Sequence, residues 1–99
     1  MSVVRSLTIN KWHHGLKNMI TYPKLKSIII YRFYENNDNN SKTITQFSLV
    51  RLNKSIFGVT KVFTDNKLET STSFEFQELD FIIADKNYNA SSLSELTDN

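Results

Sequence analysis

At 99 residues the chain has the size of one domain and can bury only a modest core. It contains no cysteine, which excludes a disulfide framework, a thiolate metal cluster and a cysteine nucleophile. A formal net charge of +2 does not by itself imply a nucleic-acid partner, and no unbroken apolar run exceeds the four residues of Ile28 to Tyr31, far too short to span a membrane.

The charge is unevenly spread. Residues 1–50 carry seven Lys or Arg against two Asp or Glu, and residues 51–99 carry five against eight. Such a division can make one face positive, or vanish when the halves interleave in one sheet. The abundance of Asn, Ser, Thr, Ile, Lys and Phe is what AT-rich coding produces, and points to a phage, a mobile element or an AT-rich host. Met1-Ser2-Val3-Val4-Arg5-Ser6 has no apolar run of signal-peptide length. With the lack of cysteine, this leads us to expect a cytoplasmic protein. Asn-X-Ser sequons at Asn39, Asn53 and Asn89 then carry little weight.

Val3 to Ile9 reads as a first strand, interrupted by Arg5. In residues 10–22, Trp12, Leu16, Met19 and Ile20 share one helical stripe, so a short helix over one end of a sheet is expected, with a bent loop as the rival. Pro23 ends it. Leu25 to Glu35 is a strand apolar on both parities, hence covered on both sides or crossing between layers. Residues 35–41 form an exposed polar connection. Lys42 to Leu52 is the next strand. Its alternation slips, since Ile44 and Val50 differ in parity from Phe47 and Leu49, and a bulge near Gln46 or Ser48 would reconcile them. Asn53-Lys54-Ser55 is a turn, and Ile56 to Phe63 a strand with Gly58 inside it. Thr64-Asp65-Asn66-Lys67 is the clearest turn. Leu68 to Gln77 alternates cleanly, as a half-wet antiparallel strand does. Phe81 to Ala84 reads as a short last strand. From Asp85 the chain turns polar, and Ser92 to Glu95 has capping-box spacing.

The links are too short for repeated crossover helices. The fold class is therefore mainly β, or α+β with one short helix: a small antiparallel sheet or curled barrel of five to seven strands. Residues 1–88 form one domain, followed by a polar tail at 89–99.

Chemistry-bearing residues are few. His13 and His14 are adjacent and so point to different sides of any rigid element, which disfavours a shared metal; both are expected near the surface around Trp12. Glu69, Glu75, Glu78, Asp80 and Asp85 form an acidic group. Glu69 and Glu75, six residues apart on one strand, are separated by about 20 Å, too far for a glycosidase pair, so the group reads as a solvated face protecting an edge. No glycine-rich phosphate loop is present. We therefore expect no enzyme, no cofactor and no metal, leaving a ligand- or metal-dependent enzyme as the weakest reading.

Two binding readings remain. Lys11, Trp12, Lys17, Tyr22, Lys24, Lys26, Arg32 and Tyr34 interleave cations with rings, as single-stranded nucleic-acid binders do. The preferred reading is a protein-interaction or assembly module, of the kind a phage or mobile element uses as an accessory protein. It would bind a protein partner or itself as a homodimer, through Ile28, Ile30 and Tyr34 on one parity of the central strand and through Glu69 and Glu75.

Overall fold

The computed structural model describes residues 5–90. Helix α1 (Ile9–Thr21) is followed by strands β1 (Ser27–Asn36), β2 (Lys42–Leu52), β3 (Ser55–Thr64) and β4 (Lys67–Glu75), then helix α2 (Glu78–Asn87). The strands form one open antiparallel sheet in the order β1-β2-β3-β4. The chain is thus mainly β with two helices, as its class predicts, but the described residues hold four strands rather than five to seven.

Both missing strands have a physical reason. Residues 5–8 form no strand and Ile9 already opens α1, because Thr8 adopts an extended conformation and its hydroxyl accepts the Lys11 N–H. Val3 and Val4 lie outside the described residues. Phe81-Ile82-Ile83-Ala84 sits inside α2; so short an apolar run does not distinguish strand from helix. The Asp80 carboxylate accepts the Gln77 N–H at 2.9 Å and starts the helix, with Glu78 and Asp80 in its first turn and Lys86 in its last, where each charge suits the helix dipole. The capping-box spacing at Ser92 to Glu95 lies outside the described residues.

The hairpins close through residues that tolerate positive φ. Asp65 (φ 50°) and Asn66 (φ 69°) form the two-residue turn between β3 and β4, the geometry that matches strand twist. Asn53 (φ 56°) serves the β2–β3 turn. The 37–41 connection is closed by Asn37 N–H to Ser41 O at 2.8 Å and Asn40 N–H to Asn37 O at 3.0 Å. Part of the asparagine enrichment thus has a conformational use.

The bulge lies on β1, not β2. The β1–β2 register shifts between Ile29 and Tyr31, leaving Ile30 extra, while β2 pairs regularly with β3. A one-residue slip exchanges the faces of a strand. Ile28, Tyr31 and Phe33 therefore share the α1 side with Phe47 and Leu49, whereas Ile29, Arg32 and Tyr34 share the outer side with Ile44, Gln46 and Val50. A second irregularity, at Glu69, shifts β4 against β3.

The core lies under α1. Trp12, Leu16 and Met19 pack on Ile28, Phe47, Leu49, Ile56, Phe76 and Ala84. Leu16 and Met19 are fully buried, each contributing about 1.5–3 kcal/mol. Arg51 of β2 closes the C-terminal end of α1. Its guanidinium donates to the carbonyl of Met19, which the helix itself leaves open, and to those of Tyr22 and Leu25 just beyond it.

Candidate binding site: a threonine trough beside an open edge

α1 covers only one end of its sheet face. Toward the other end the register stacks Thr43 with Thr64, Thr45 with Val62 and Thr70, and Phe47 with Thr60 and Thr72. Trp12, Phe47 and Phe74 close the helix end of this trough, and Arg5 and Leu7 flank the β1 side. The enclosed space is about 640 Å³, within the range of ligand sites.

The trough is graded. At its closed end Trp12 meets Phe47 and Phe74 edge-on, with ring centroids 6.0 and 5.2 Å apart. Its floor presents methyls and hydroxyls together. At its open end stand Glu35 and Glu69. The cation there, Arg5, lies 3.4 Å from Glu35 and 3.8 Å above the Phe33 ring. Such a surface suits apolar and hydroxyl-bonding groups and offers little to phosphates.

The β4 wall is also a sheet edge. All nine residues from Lys67 to Glu75 are exposed. From Thr70 to Phe74 the strand carries no charge and no proline, the usual means of blunting an edge. Lys67 and Glu75 stand at its ends, and Glu75 accepts the Ser55 hydroxyl at 2.8 Å.

The residues singled out from sequence are distributed as follows. Ile28 is buried, and Ile30 packs against the core, its side chain beside Gly15 of α1. Neither belongs to an exposed interface, and the β1 bulge separates both from Tyr34, which is exposed on the outer side. Glu69 lines the trough while Glu75 takes the outer side, so they share no wet face.

The basic and aromatic set does not form one stripe. Trp12 is a core residue and presents no free ring for stacking. Lys11 lies 4.8 Å over the Tyr31 ring, and Lys17 pairs with Asp85 at 2.9 Å. Tyr22, Lys24 and Lys26 are exposed between α1 and β1. Arg32 bonds Gln46 at 3.1 Å on the outer side.

His13 is buried, not superficial. Its Nε2 lies 3.0 Å from Asp80 Oδ1, joining α1 to α2. Burial alone would raise the Asp80 pKa, but the Gln77 N–H and the His13 ring outweigh it and hold the carboxyl below its ordinary value. Lys17–Asp85 and Tyr88–Asn10 complete the seam, so Asp80 and Asp85 clasp helices rather than coat a face. His14 stacks edge-on with Tyr88 at 4.2 Å. Among the described residues no group of three or more His, Asp or Glu is placed to hold a metal, and no helix is long and apolar enough to cross a membrane.

No family model matches this chain, and neither a curated protein nor a solved structure matches it. The trough itself was visible in sequence only as a recurrence, Thr43-Ile-Thr45 and Thr70-Ser-Thr72. The register that aligns these threonines belongs to the tertiary structure.

Proposed function

We propose that this protein is a non-catalytic protein-interaction module. It takes an extended segment of a protein as an added strand along β4, with alternate side chains of that segment set into the trough. The observation that carries this reading is the adjacency of an exposed edge strand, uncharged from Thr70 to Phe74, and a trough lined by hydroxyls and rings. Backbone pairing at an edge supplies affinity, and pockets beside it select side chains. The acidic mouth and the engaged Arg5 weigh against a nucleic-acid backbone in the same place.

The test fills the trough without touching the edge. Thr60→Trp should remain folded and lose the proteins that the wild-type chain retains from its native host lysate, by about tenfold or more. Unchanged retention by the folded variant would sink the trough reading. Fluorescence anisotropy with labelled DNA and RNA supplies the competing outcome. Salt-sensitive binding abolished by Lys24→Glu with Lys26→Glu would replace the proposal with nucleic-acid recognition at the exposed α1–β1 connection.

A further inference from the structure

We infer that the outer side of the sheet binds single-stranded nucleic acid, with one base set between Tyr34 and Phe63. This surface is independent of the trough, which opens on the opposite side of the same sheet. α1 packs on the trough side and α2 docks on α1, so among the described residues no element covers the outer side. Register fixes what stands there. One row across the strands is Tyr34, Ile44, Phe63 and Leu68, and the next is Arg32, Gln46, Lys61 and Ser71. A pocket of about 290 Å³ opens where the rows meet, lined by Arg32, Tyr34, Ile44, Gln46, Phe63 and Asn66. Tyr34 and Phe63 flank Ile44 from strands two apart, about 9.5 Å between backbones. A flat ring between two others needs about 3.5–4 Å on each side, so the gap admits one planar group. The Gln46 and Asn66 amides supply groups of the kind that bond base edges. Arg32 Nε donates to Gln46 Oε1 at 3.1 Å, which holds both side chains beside the pocket.

Charge selects the occupant. Among the strand residues of this side the cations are Arg32, Lys42 and Lys61, and the carboxylate is Glu75. Glu75 stands away from the pocket, opposite Phe57, and accepts the Ser55 hydroxyl. Lys61 lies two residues from Phe63, about 7 Å along the strand, and Lys42 lies two residues from Ile44 on the other side. Among the described residues neither lysine is paired with a carboxylate side chain. Exposed rings on an open sheet stack unpaired bases, and cations beside them take the phosphates. A second copy laid over the pocket would instead bring like charges together. Of the basic and aromatic residues named from sequence, Arg32 and Tyr34 belong to this surface. Lys42, Lys61 and Phe63 join them through register.

The experiment is fluorescence anisotropy with labelled single-stranded DNA and RNA of mixed sequence, at low and moderate salt. The wild type should bind at about 10 μM or tighter at low salt. Tyr34 is 54% exposed, so its replacement leaves the core intact. Tyr34→Ala should weaken binding about tenfold, and Tyr34→Phe should preserve it. Lys61→Glu should weaken binding and flatten the log–log salt dependence by about 0.7. Lys24→Glu with Lys26→Glu should change neither. No binding at low salt overturns the inference, and so does binding indifferent to Tyr34→Ala or to Lys61→Glu. Loss in the Lys24 and Lys26 double variant overturns it by moving the site to the α1–β1 connection. Equal competition by inorganic polyphosphate overturns it too, since the rings then contribute nothing. A mass above the monomer in light scattering, lost in Tyr34→Ala, would give the face to a second copy and also overturn it. Thr60→Trp, on the opposite side of the sheet, should leave nucleic-acid binding unchanged. Failure of this inference is therefore separable from failure of the strand-addition reading.

Discussion

Two side chains occupy the space that a β-carbon at Gly58 would need. The Phe74 ring would lie 2.5 Å away and Trp12 Cζ3 3.0 Å away. The glycine lets a cross-strand ring fold over its backbone, and that ring in turn supports Trp12 at the closed end of the trough. Gly58→Val should displace Phe74, cost about 1–3 kcal/mol and shift the Trp12 emission to the red. Denaturant unfolding followed by fluorescence checks both, and wild-type stability with unchanged emission would show that Phe74 has no such role. The sequence shows Gly58 only as a glycine inside a strand, and the partner ring lies sixteen positions away. No local pattern names it.

The element most dependent on its neighbours is α2. It docks on α1 through His13–Asp80, Lys17–Asp85 and Tyr88–Asn10. Asp80 both caps α2 and receives His13, and its pKa in the folded protein lies below the ordinary 3.8. Its contribution is therefore fully present above that value. It declines as pH falls past 3.8, where the unfolded chain takes up the proton first, and is lost once pH passes the folded value. Asp80→Asn should accordingly lower stability near neutrality by about 0.5–2 kcal/mol, and the difference from wild type should shrink below pH 4. Thermal melts at matched pH values measure this, and a difference independent of pH would remove the charge from the account.

At the scale of the whole molecule, the β1 bulge determines which residues of β1 face the core. It turns Ile28 and Ile30 toward α1 and leaves Tyr34 outside. Ile30→Glu should therefore unfold the protein instead of merely separating subunits, since it places a carboxylate beneath α1 against Gly15 and Leu49. Circular dichroism after expression distinguishes the outcomes, and a folded monomer would return Ile30 to an exposed surface.

The sequence by itself determined the local features. Period-two alternation and turn chemistry located β2, β3, β4 and the Asp65-Asn66 turn, and the spacing of Trp12, Leu16 and Met19 located α1. These depend on neighbours a few residues apart. Three matters were left to the tertiary structure. Phe81 to Ala84 became helix because Asp80 caps it and α1 offers a docking surface. Tyr34 parted from Ile28 and Ile30 because a bulge invisible in composition reversed the faces of β1. The threonines became a trough because register aligned them across strands and α1 covered only half of the sheet. Each depends on contacts between residues distant in the chain, and such contacts leave no periodicity within a single segment.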